Sequence, residues 1–160
     1  QNTNFQFSLN DVSGVSDFTN LFEFCKINCV VVRFTPLQNV NQYPTTTVTQ
    51  NIPMFGYALD LDDVAAVTLQ QIQEYGNYKE TRFNKPIKIK IMKPRIPMGA
   101  FNQATGLYNG AILMKPQWFR TIDSQIVHYG LKTAIYGVLN NQQISYSVRA
   151  TYYMTFRYIK

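Results

Sequence analysis

The sequence predicts an all-β fold, an antiparallel sandwich or barrel of about eight strands with two short helices in connecting loops, and three observations carry that prediction. From Ser145 to Lys160 the side chains alternate, with Tyr146, Val148, Ala150, Tyr152, Met154, Phe156 and Tyr158 on one face and Ser147, Arg149, Thr151, Tyr153, Thr155 and Arg157 on the other. A period of two is the signature of a strand whose one face meets an apolar core and whose other meets solvent or a polar partner. The chain is 14% aromatic, with 11 Tyr and 11 Phe, side chains that pack well on pleated surfaces and are common at large interfaces. The remaining apolar runs are short, are punctuated by Gly, Pro and Asn, and lack the strand–helix–strand rhythm of a parallel sheet. A chain of 160 residues fits one domain over residues 1–160, since at this length about 70% of the unfolded surface can be buried without staples.

Taken in order, Phe5, Phe7 and Leu9 alternate with Gln6 and Ser8 in a first short strand that ends near Gly14. A helix follows, capped by Ser16 or Asp17, with Phe18, Leu21, Phe22 and Cys25 at the spacing of one apolar stripe. Residues 26–35 hold Ile27, Cys29, Val30, Val31, Val32 and Phe34, a strand covered on both faces and ended by Pro36. Residues 37–51 form a polar loop longer than most connections, which marks it for a role at a surface. Residues 54–61 make the next strand. Asp60, Asp62 and Asp63 precede a second helix over 64–75, stopped by Gly76; capping explains them better than calcium, because no Gly or Glu follows at the spacing of an oxygen-ligand loop. Two strands separated by Asn84-Lys85-Pro86 fill residues 79–95, and in the second of them Ile87, Ile89 and Ile91 face one way while Lys88 and Lys90 face the other. Residues 94–116, with their prolines and glycines, read as a long loop. A strand over 126–138, a turn at 140–143 and the closing strand complete the chain.

The net charge is +6, and Lys79, Arg82, Lys85, Lys88, Lys90, Lys93 and Arg95 fall within one short stretch opposed only by Glu80. Such clustering points to a polyanion, nucleic acid first and acidic membrane or glycan second, against a solvated strand face kept soluble by lysines. Lys85, Lys88, Lys90, Lys93 and Arg95 are the candidate phosphate contacts, although five residues spread over a strand and its end need not share one surface. Cys25 and Cys29 read as buried thiols on either side of a helix-to-strand boundary. With His128 as the single histidine no four-ligand zinc set and no nucleophile–base pair can be assembled, so no metal site, cofactor or catalytic residue is expected. His128 reads as a packed, hydrogen-bonded side chain, and Trp118 as a core or interface residue before a base-stacking one. No apolar run has the length of a membrane span.

The succession Phe7-Ser8-Leu9-Asn10-Asp11-Val12, Phe18-Thr19-Asn20-Leu21-Phe22, Lys26-Ile27-Asn28 leading into a valine strand, and Phe34-Thr35-Pro36 resembles the capsid proteins of small circular single-stranded DNA viruses, the circovirus-like group. Tyr75-Gly76-Asn77, Arg82-Phe83-Asn84-Lys85-Pro86, Lys93-Pro94-Arg95 and His128-Tyr129-Gly130-Leu131 extend the likeness over nearly the whole chain. The resemblance implies an eight-stranded jelly roll of two four-stranded antiparallel sheets. It further implies a homo-oligomeric T=1 icosahedral shell around a single-stranded DNA genome, located in the virion and, during assembly, the host nucleus. Members of the group usually carry an Arg-rich N-terminal arm that packages DNA and directs nuclear import; it is absent from these residues and is expected upstream. The alternative is a glycan-binding jelly roll, lectin-like or used for attachment to cell-surface glycans, which would form small oligomers rather than closed particles.

Overall fold

The computed structural model describes residues 1–37, 52–61, 65–102, 107–114, 117–138 and 144–160, the backbone alone at 97–102 and 107–114. Its strands are β1 (Asn2–Phe7), β2 (Phe22–Pro36), β3 (Met54–Ala58), β4 (Lys79–Arg82), β5 (Ile87–Met92), β6 (Ile96–Asn102), β7 (Leu107–Met114), β8 (Phe119–Arg120), β9 (His128–Tyr136) and β10 (Tyr146–Ile159). Two α-helices, α1 (Val15–Leu21) and α2 (Leu69–Gln73), lie between them. Every strand pair is antiparallel. One sheet has the order β1-β9-β3-β4; the other runs β10-β2-β5, with β8 also on β2. These eight strands form two four-stranded sheets, as the resemblance implies, and the chain crosses repeatedly from one to the other. That crossing is the jelly-roll path.

The pairing of β2 with β10 dominates the second sheet and runs from Phe22↔Ile159 to Pro36↔Tyr146. A bulge at Asn28 keeps both halves of this ladder in phase with the core: Val30, Val32 and Phe34 point inward on one side of it, Ile27 and Cys25 on the other. Asn28 fixes the bulge by donating its side-chain amide to the Thr155 hydroxyl at 2.7 Å. The inward side chains meet Phe7, Leu9, Phe55, Phe83, Leu131 and Ile135 from the other sheet and its connections. Phe34 makes ring contacts with Phe5, Phe55 and Tyr146, and Phe83 joins Phe55 and Tyr146, so one end of the core is aromatic. Each fully buried ring of this kind stabilises the fold by about 2–3 kcal/mol. Gly130 on β9 leaves room for Phe7 of the neighbouring strand and Ile91 of the opposite sheet; a Cβ there would come within 3.0 Å of Phe7 and 3.1 Å of Ile91.

Several sequence expectations are corrected. The first helix begins after Gly14, whose left-handed φ of 72° turns the chain, rather than at a Ser16 or Asp17 cap, and it ends at Leu21. Phe22 and Cys25 belong to β2, where pairing with β10 outweighs one further helical turn; Cys25 and Cys29 therefore share a strand, both buried and both free thiols. The second helix is shorter than 64–75 and is capped by Thr68, whose hydroxyl accepts from the Gln71 amide. Asp60 has a different role from capping, described below, and Asp62 and Asp63 lie outside the described residues. Residues 94–116 are not simply a loop. They hold the β6–β7 hairpin, whose Pro and Gly content masked its period. The turn at 140–143 and all but the first residue of the polar stretch 37–51 lie outside the described residues.

Candidate nucleic-acid interface

The face of the β10-β2-β5 sheet turned away from the core is built by the residues that alternate with the inward-pointing ones; on the central strand Val31 and Cys29 of this face are themselves buried, so its open positions are Arg33 and the flanking residues of β10 and β5. Register places Arg149 opposite Arg33 and Arg33 opposite Lys88, so three cations stand in one cross-strand row. The next row is Thr151, Val31 and Lys90, and the one after it Tyr153, Cys29 and Met92. Beyond the bulge come Thr155 with Lys26, and then Arg157, Phe24 and Arg120. None of these residues is acidic. Among the described residues no acidic side chain pairs with Arg33, Lys88, Lys90 or Arg149. Like charges directly opposite on one sheet face cost a few tenths to about 1 kcal/mol, so the row is unfavourable until an anion lies across it.

Aromatic surface is interleaved with this charge. Trp118 is half-buried beside the Lys26 row, with the Arg157 guanidinium 4.1 Å from its ring centroid and the Lys26 ammonium at 5.4 Å. Tyr153 is 54% exposed between the Trp118 end and the Arg33 row. Of the two expected readings of Trp118, core or interface, the half-buried and cation-flanked ring does not fit a core side chain and leaves the interface one.

The five lysines and arginines expected to bind phosphate are not brought together. Lys88 and Lys90 stand side by side on this face. Lys85 lies in the β4–β5 turn at one end of it. Lys93 follows β5 at the other, in a left-handed conformation with φ of 53° and its amide donating to the Asn28 carbonyl at 2.9 Å. Arg95 turns toward the opposite sheet, bridged to Tyr129, whose amide donates to the Arg95 carbonyl at 3.0 Å. Arg33, Arg149, Lys26 and Arg157 join the face from strands remote in sequence. The alternation of the closing strand already marked Arg149 and Arg157 as sharing a face; that Arg33 lies between Arg149 and Lys88 needed the register. Glu80, the one acid of the basic stretch, sits on β4 of the other sheet, where the hydroxyls of Tyr136 and Tyr78 donate to it and hold its carboxyl below the usual range. It does not offset the basic face.

Among the described residues no group of His, Cys, Asp and Glu could hold a metal ion. Among the described residues no helix is long and apolar enough to cross a membrane. His128 is buried against Phe119, with Nδ1 at 3.2 Å from the Ile126 carbonyl, in keeping with its expected packing role.

The family of circovirus capsid proteins matches residues 1–160. The 60-mer crystal structure of BFDV capsid protein is similar at a TM-score of 0.72 and 16% identity, covering 98% of this chain and 81% of that one. The decameric BFDV capsid protein is similar at a TM-score of 0.60 and 15% identity, covering 99% of this chain and 84% of that one. No curated protein matches the sequence. A capsid protein is a structural, shell-building component of the virion rather than an enzyme, and the jelly roll described above is the fold these assemblies share. This chain belongs to the circovirus capsid protein family.

Proposed function

We propose that this chain is the coat subunit of a small T=1 shell that packages circular single-stranded DNA against the outer face of the β10-β2-β5 sheet, in particles assembled in the host nucleus. The observation that carries the DNA assignment is the Arg149–Arg33–Lys88 row, continued by Lys90, Lys26 and Arg157, with no acid opposing it among the described residues. A sixty-copy arrangement in a relative supports the shell size, because sixty equivalent copies fill the smallest icosahedral lattice. Residues 1–160 act in this reading as one domain, since both sheets draw strands from both ends of the chain.

The mechanism is counterion release. Each phosphate neutralised by a lysine or arginine frees a condensed cation, so affinity comes from many weak, sequence-independent contacts and falls steeply with salt. Tyr153 and Trp118 add ring surfaces on which bases stack, which favours single strands over duplex. Fluorescence anisotropy with a labelled oligothymidylate tests the assignment. Engagement of about six phosphates gives a log–log salt slope of about −4 for a single strand, and an Arg33→Glu/Arg149→Glu variant should show a shallower slope and weaker binding. An unchanged slope in the variant would remove this face from the DNA contact. Stronger binding of sulfated glycan than of single-stranded DNA by the same face would favour the glycan-binding reading.

A further inference from the structure

At the end of the β10-β2 ladder remote from the aromatic core, large apolar side chains gather on the surface. Leu21 closes α1 and is 54% exposed; Ile122, just after β8, is 66% exposed; Tyr158 and Ile159 at the end of β10 are 65% and 77% exposed. The backbone holds them side by side. Ile159 pairs with Phe22, the residue after Leu21; the Lys160 amide donates to the Leu21 carbonyl at 3.0 Å; and the buried Thr121 hydroxyl donates to the Phe22 carbonyl at 2.5 Å, tying Ile122 to the same strand end. Tyr158 takes a positive φ of 54°, a conformation bulky side chains rarely adopt, and its ring stands edge-on to Phe24 at 6.0 Å. Such backbone strain concentrates at functional positions. Beside this ridge lies a recess of about 230 Å³ lined by Glu23, Phe24, Arg120, Thr121, Ile122 and Lys160.

We propose that this patch is a contact between copies of the chain, the ridge of Leu21, Ile122, Tyr158 and Ile159 being covered by a second copy in the shell. The inference rests on the capsid reading and names the surface that reading leaves open. Contiguous exposed apolar side chains mark an interaction surface, and contact centres are poor in charge with charges confined to the rim, which is the arrangement here. The rim carries one acid, Glu23, with two bases, Arg120 and Lys160. That mixture suits a protein partner and is unsuited to a polyanion, which the neighbouring face, whose charged residues are all basic, serves instead. The ridge also stands next to a recess, so a copy presents both a projection and a hollow for its neighbour.

Ile122→Asp and Leu21→Asp, made separately, test the contact, since both positions are exposed enough for the fold to accept a carboxylate. Sedimentation velocity and negative-stain microscopy read assembly, thermal unfolding reads the fold, and anisotropy reads single-stranded DNA binding. The expected result is unchanged unfolding and DNA binding with a critical concentration for shell formation raised at least about tenfold, the effect of losing one apolar anchor at a contact centre. Variants that build the same shells at the same concentration as the unaltered chain overturn this contact alone. Variants that assemble normally but lose DNA also overturn it, assigning the patch to the genome. An unaltered chain that forms no shells at any concentration overturns the capsid reading and the contact with it.

Discussion

Lys132 is 1% exposed and pairs with Asp60 at 2.6 Å, while the Tyr75 hydroxyl donates to Asp60 at 2.5 Å and the Lys132 ammonium donates to that hydroxyl at 3.1 Å. The carboxylate pushes the Tyr75 phenol up, which keeps it a donor. These groups tie β9 to the residues that follow β3 and α2. Removing one charge strands the other, so Lys132→Met should destabilise the subunit by about 3–5 kcal/mol in urea unfolding. Sequence reading assigned Asp60 to a helix cap because its partner lies far along the chain, where no local pattern records it. The two thiols and His128 were legible, since small apolar neighbours and isolation from other ligands are visible locally. Burial pushes the Cys25 thiol up to about 12, so it should resist a thiol reagent at neutral pH in the folded state and react once unfolded. Burial also pushes the His128 imidazole below its ordinary value. Its unfolded form therefore takes the proton first as pH falls. The stability held above the unfolded value, about 6.5, should decline below that pH, and His128→Gln should flatten that decline in thermal unfolding.

Among the strands, β2 and β10 set both core and charge. The alternation of β10 was readable because one face is nearly all apolar: Tyr146, Tyr152, Met154 and Phe156 pack against the core as the period of two requires, whereas Val148, Ala150 and Tyr158 of the same set are exposed, Tyr158 at a positive φ with its ring against Phe24. β6 and β7 were missed because Pro97, Gly99, Gly106 and Gly110 read as loop. The first helix was extended too far because the apolar spacing of Phe18, Leu21, Phe22 and Cys25 fits a helix, while the pairing that converts Phe22–Pro36 into strand comes from β10, more than a hundred residues later. The basic face was half-legible for the same reason: Lys88 and Lys90 alternate locally, but Arg33 and Arg149 reach them only through register. That register predicts opposing effects of one substitution. Arg33→Thr removes two like-charge cross-strand neighbours, so it should raise stability by a few tenths to about 1 kcal/mol in chemical unfolding while weakening single-stranded DNA binding.

For the whole molecule, the fold divides its surfaces by chemistry. One sheet face is cationic and aromatic, the end of the same sheet is apolar with a mixed-charge rim, and the aromatic core ties both to the opposite sheet. A shell subunit needs two surfaces of this kind, one for the genome and one for its neighbours. The most direct test of the central claim is the nuclease-protected DNA content of purified particles formed by the unaltered chain and by the Arg33→Glu/Arg149→Glu variant. We predict that both assemble into shells of the same size and that the unaltered particles hold single-stranded DNA which the variant particles largely lack. Variant shells that protect as much DNA as unaltered ones would contradict the assignment of this face to the genome.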